Sequence, residues 1–151
     1  MPHLEMIKMG ESLLDSIEPG GLSEQQIHSL HLVFQNTLVA ALDALDKGRV
    51  IKLVTPYGRH FYRVYGGKEA KDKYKYVYTV HPQLMSTFPP SCTCPSFAYS
   101  VLLSDTHLMC KHVLAVRLGE RLNKCIIQPA SDDDIAELCF PPPPDPSSKA
   151  T

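Results

Sequence analysis

The chain has 151 residues and a mass of 16.8 kDa, enough for one domain with a sizeable core and little more. Hydrophobic residues make up 44% and charged residues 21%, ordinary for a globular chain, while a net charge of −1 argues against a dedicated nucleic-acid binder. No apolar run approaches the about 18 residues that a membrane-spanning helix needs. The opening stretch MPHLEMIKMGES carries acids where a secretory signal would be basic and then apolar, so an intracellular location is expected.

In chain order, residues 3–17 place Leu4, Ile7, Leu13, Leu14 and Ile17 at the spacing of a short helix that ends at Pro19-Gly20-Gly21. Ser23 and Gln26 then have the capping-box spacing, in which each side chain satisfies a free backbone N–H of the other. Ile27, Leu30, Phe34, Leu38, Ala41 and Leu45 follow as one apolar stripe, predicting a single helix from Ser23 to Asp46 with Gly48 as its left-handed cap.

Three strands are predicted next, over Val50–Thr55, Phe61–Tyr65 and Tyr74–Val80, all rich in β-branched and aromatic residues. Tyr74, Tyr76 and Tyr78 share one face of the third strand; such a stripe can stack nucleotides, but it more commonly covers a core. Pro95 suits the first position of a helix whose apolar residues are Phe97, Ala98, Val101 and Leu102. Another helix is predicted from about Lys111 to Asn123, and a last short one from Ser131, whose acids Asp132–Asp134 favour a helix N-terminus. Four consecutive prolines from Pro141 make the tail extended. The expected architecture is α+β: N-terminal helices over 1–48, a small antiparallel sheet of about three strands and a cysteine-rich unit with C-terminal helices over 49–140, and a disordered tail over 141–151.

Charge is unevenly distributed. Residues 1–46 sum to −6, residues 47–75 to +7 and residues 76–151 to −2. The basic block has two readings: contact with phosphates, with Lys71, Lys73 and Lys75 as candidates, or a solvated hairpin facing the acidic N-terminal segment.

The strongest chemical signal is Cys92-Thr93-Cys94, fifteen residues, then Cys110-Lys111-His112. Five cysteines cannot all pair, and the close grouping of three of them reads as a metal site. Three thiolates and one imidazole complete a tetrahedral zinc shell and leave no open position. Residues i and i+2 of an extended segment point the same way, so Cys92 and Cys94 can converge on one ion. Buried free cysteines are the competing reading, which two close pairs at matched spacing disfavour. Lys111 is placed to offset the net charge of a three-thiolate site, His107 reads as a loop residue, and Cys125 and Cys139 read as helix-packing cysteines.

This C-x-C…C-x-H pattern, with CPSFAYSVL after the first pair and CKHVLAV across the second, resembles the SWIM zinc-finger family. The resemblance runs over roughly residues 22–123 and is most specific over 92–118. Within the family it is similar to small members that combine an N-terminal helical region, a tyrosine-rich hairpin and one SWIM motif. Those members serve as Shu-complex subunits in homologous recombination. The resemblance implies a nuclear, non-catalytic protein holding one structural zinc through Cys92, Cys94, Cys110 and His112. It also implies obligate pairing with a RecA-like recombinase paralogue and assistance to recombinase filaments on single-stranded DNA, with no membrane and no small-molecule substrate.

Enzyme motifs are missing from the sequence. Gly67-Lys68 lacks the first glycine of a phosphate loop, where Tyr62 stands, and the Ser/Thr, where Glu69 stands. Neither H-E-x-x-H nor the deaminase pattern occurs, and a Cys–His nucleophile would consume zinc ligands. Two functions remain: an interaction subunit, with Phe34 and Leu38 or Val101 and Leu102 as the expected partner face, and a direct DNA-binding module using residues 47–75.

Overall fold

The computed structural model describes residues 4–66, 76–81, 91–95, 97–103 and 108–139. Lys71, Lys73, Lys75, Tyr74, His107 and the proline tail lie outside the described residues, as do the side chains of Tyr76, Leu102 and Cys139.

Three helices open the chain: α1 (Leu4–Asp15), α2 (Glu24–Phe34) and α3 (Asn36–Asp46). The capping box is present, since Gln26 N–H donates to Ser23 Oγ at 3.2 Å and Ser23 N–H donates to Gln26 Oε1 at 2.9 Å. The single helix expected over 23–46 is instead two helices, broken at Gln35 with φ 52° and ψ −131°. The apolar stripe continues across the break with Leu30 and Phe34 on one side and Leu38, Ala41 and Leu45 on the other. Periodicity alone therefore gave no sign of it. The break lets α2 pack on α1 while α3 lies along α4 (Lys111–Leu122). Gly48, at φ +64°, turns the chain out of α3 as expected.

The sheet is larger than the sequence suggested. Among the described residues it has five strands rather than about three, in the order β4-β3-β2-β1-β5, where β1 is Val50–Val54, β2 His60–Gly66, β3 Tyr76–His81, β4 Ser91–Cys92 and β5 Ile126–Pro129. Four strands form antiparallel ladders, but β5 runs parallel to β1, pairing Ile51 with Ile126 and Leu53 with Gln128. A strand this short and exposed, following directly on a helix, carries no alternating pattern of its own. Its place comes from α4, whose αL cap at Asn123 (φ 54°, ψ 39°) reverses the chain back beside β1. Helix α5 (Asp132–Cys139) follows.

Helices α1–α4 cover one face of the sheet. There Val50, Tyr62, Val64 and Val80 join Leu14, Leu30, Leu38, Leu114 and Leu118 in one core. The alternate residues Ile51, Leu53 and Phe61 face the other way, into a small cluster with Tyr65, Ala130 and Leu138 of α5. Gly119 brings α4 close to its neighbours: a Cβ there would stand 2.6 Å from Cys125 Sγ and 2.9 Å from Leu45 Cδ2. Cys125 does pack against the core, but from the turn after α4 rather than from a helix.

Phe34 and Leu38, expected on a partner face, are only 6% and 1% exposed and sit in the chain's own core. Both side chains pack inside the fold, while Ile27 of the same stripe stays exposed. In the basic block, Lys47 meets the acidic segment through the local pair with Asp43 at 2.8 Å. Lys52 instead reaches Glu120 of α4 at 3.2 Å, and Arg63 reaches Asp134 and Glu137 of α5. The acids of α1 serve α4: Glu11 accepts both guanidinium nitrogens of Arg117, and Asp15 accepts Arg121 at 2.7 Å.

Candidate metal centre

Strand β4 carries the first ligand into place, because Cys92 pairs with Val80 in the antiparallel ladder with β3. Thr93, between the two cysteines, fastens the knuckle to β3. Its N–H donates to Thr79 O at 3.1 Å, and its Oγ accepts the Thr79 N–H at 3.0 Å. The flanking Cys92 and Cys94 thus both turn into the core, as their i, i+2 spacing requires. Sequence reasoning missed Thr93; its signal was a β-branched hydroxyl residue sandwiched between two ligands that must face the opposite way.

The helix expected after Pro95 is a π-helix over Phe97–Leu103, wound wider than the α-helix its apolar spacing suggested. It begins with Phe97 N–H donating to Cys94 Sγ at 3.2 Å, so the turn is anchored on a ligand. Phe97 packs against the core, Tyr99 is 68% exposed and Val101 is half-buried.

The second pair stands at the start of α4. Cys110 is its N-cap, with φ −75° and ψ 163°, and Cys110 Sγ accepts the Val113 N–H at 3.4 Å. A thiolate here lies at the positive end of the helix dipole. His112 is two residues further on and only 5% exposed. Lys111, between them, is exposed at the surface.

The four sequence-predicted ligands come together. One donor atom from each of Cys92, Cys94, Cys110 and His112 lies within 4.8 Å of every other, and all four residues are buried. Packing three thiols this tightly separates their acidities. Contact with Cys110 and Cys94, together with burial, pushes the Cys92 thiol up, whereas contact with Cys110 and Cys92 holds Cys94 down against burial. A dication in the midst of the cluster favours the thiolate form of all three. Three thiolates and an imidazole are the donor set of structural zinc, and the cluster fits one such ion with every coordination position taken by protein.

A second polar group lies on the same face of the sheet. The Tyr62 hydroxyl donates to Glu120 Oε1 at 2.5 Å, and burial followed by that carboxylate pushes the Tyr62 pKa well above its usual value. The pair ties β2 to α4 and presents no nucleophile.

The SWIM zinc finger family profile matches residues 62–116, from β2 to the middle of α4, and so includes all four ligands. Curated relatives called zinc finger SWIM domain-containing protein 7 are similar along most of their length. The mouse (Mus musculus) protein is 31% identical over 117 residues, covering 78% of this chain and 70% of the relative. The Dictyostelium discoideum homolog is 32% identical over 118 residues, covering 78% and 67%. The Danio rerio protein is 29% identical over 138 residues, covering 88% and 91%. No solved structure matches the chain significantly. With the family profile centred on these ligands and the similarity extending well beyond them into the N-terminal helices, the chain belongs to the SWIM zinc finger family.

Proposed function

We propose that this protein is a non-catalytic, zinc-stabilised subunit of a Shu-type complex in the nucleus. In this reading it pairs with and stabilises a RecA-like recombinase paralogue, and the pair promotes recombinase filament assembly on single-stranded DNA during homologous recombination. The observation that carries the reading is the closed metal shell: four buried protein donors leave the ion no position for a substrate or an activated water. The metal then serves to hold a surface in shape, which suits a binding subunit. Similarity to zinc finger SWIM domain-containing protein 7 over most of the chain supports the same class.

The described basic residues favour this over direct DNA binding by residues 47–75. Lys52 and Arg63 are engaged with Glu120, Asp134 and Glu137, so their charge is largely neutralised within the fold. With Phe34 and Leu38 consumed by the core, the half-buried Val101 beside the exposed Tyr99 on the π-helix is the partner face of this reading. The test is purification of the tagged chain from its own cells. A protein with a RecA-type ATPase sequence is expected at one-to-one stoichiometry, lost with Val101→Asp while zinc content is kept. Recovery of the wild type as a zinc-loaded lone monomer would overturn the proposal.

A further inference from the structure

His112 offers zinc two nitrogens, and one of them stands at a measurable distance from a thiol of the cluster. Its Nδ1 lies 3.7 Å from Cys92 Sγ. With zinc–sulfur bonds of about 2.3 Å, zinc–nitrogen bonds of about 2.05 Å and tetrahedral angles, two ligand atoms stand about 3.6 Å apart. Nδ1 is thus already at ligand spacing from Cys92 Sγ. The position of His112 in the first turn of α4 gives a reason. Cys110 Sγ is held at the helix N-cap by the Val113 N–H, so the cluster's centre lies close to the backbone of that turn. Nδ1 is the imidazole nitrogen nearer its own backbone, and it is the one at contact distance from Cys92 Sγ.

A second observation concerns the plane of the ring. Tyr78 of β3 stacks on His112 with centroids 4.5 Å apart and planes 28° from parallel. A metal bound at an imidazole nitrogen must lie near the ring plane, so whatever holds that plane aims the lone pair. Tyr78 comes from the strand that pairs with β4, which carries Cys92. One sheet edge therefore supplies a ligand and orients the ligand that arrives from α4.

The geometry points to zinc ligation through Nδ1 of His112, with Tyr78 as the positioning residue that holds the imidazole plane. The proton of the neutral ring is then on Nε2, on the side away from the thiolates. The hairpin strand β3, which supplies no ligand, becomes part of the metal site, and zinc affinity depends on it.

Cadmium-113 in place of zinc separates the two nitrogens by spin coupling. A metal at Nδ1 is three bonds from Hε1 and four from Hδ2, whereas a metal at Nε2 is three bonds from both. Coupling of His112 Hε1 without Hδ2 is expected, and coupling to both protons would overturn the assignment. For Tyr78, zinc affinity is measured by chelator competition on the folded full chain. Tyr78→Leu is expected to weaken binding about tenfold and to change the cadmium-113 shift, while Tyr78→Phe, which keeps the stack, stays within about threefold of the wild type. Leu30→Ala, a core truncation on α2, controls for general destabilisation and should leave the cadmium shift unchanged. If Leu30→Ala weakens zinc as much as Tyr78→Leu does, or if Tyr78→Leu keeps the wild-type affinity and shift, the positioning role is wrong.

Discussion

On the face that carries α1–α4, the sheet buries Tyr62, Val64 and Val80 in a core continuous with three zinc-ligand cysteines. Among the described residues, the opposite face buries Ile51, Leu53 and Phe61, under a helix of eight residues tied down by Leu138 and by Arg63. The first face draws on a metal, an interlocked helix layer and the Tyr62–Glu120 bond. The second depends on Arg63, whose guanidinium contacts both Asp134 and Glu137. Stability in this small fold is therefore expected to concentrate around the centre, with α5 as the element expected to open first.

Removing the metal tests the strong face most severely. Cys110→Ala, which deletes both a ligand and the cap of α4, is expected to lose zinc by elemental analysis and to abolish the cooperative melt, since structural zinc contributes on the order of 10 kcal/mol to folding. A single truncation in each core sharpens the contrast. Leu114→Ala, at a fully buried site, should cost about 2–5 kcal/mol in urea unfolding, and Leu53→Ala should fall at or below the bottom of that range. If Leu53→Ala proves the costlier, the two faces are more alike than the structure indicates.

Smaller effects belong to α5. Arg63→Met should destabilise by about 1 kcal/mol, because its two ion pairs are only partly screened from water, and should speed amide exchange in α5 while leaving α4 protected. Last is a pH effect. Partial burial raises the Asp134 pKa, but the Ser131 N–H and hydroxyl and then Arg63 outweigh it, so the folded value is lowered. A lowered carboxylate contributes stability that is full above its unfolded value of about 3.9 and is lost as pH falls through the folded value. Exchange in α5 should therefore accelerate on acidification through that window, and Asp134→Asn should remove the dependence.

Much of the centre was legible because its chemistry is local. Two donors at i, i+2 and a cysteine at a helix N-cap restrict one another over a few residues, whatever the rest of the chain does. The same holds for the Ser23–Gln26 box and the turn at Gly48, both where the sequence placed them. The residues that complete the site were less visible. Thr93 acts through a backbone ladder to Thr79 and Tyr78 through a stack across two elements, so the place of Thr93 between two ligands and the alternation of the tyrosines did not say what either would meet.

The ligand set, the capped helix ends and the α+β alternation of elements are local properties, since each follows from hydrogen-bonding and donor chemistry within a few residues. Tertiary structure decided the break at Gln35, the fifth strand parallel to β1, the burial of Phe34 and Leu38, and the pairing of α1 acids with Arg117 and Arg121. In each of those cases the outcome depends on which distant surface a segment meets. An apolar stripe or a charge says that a side chain needs a partner, and only the packing of helices against the sheet selects which one.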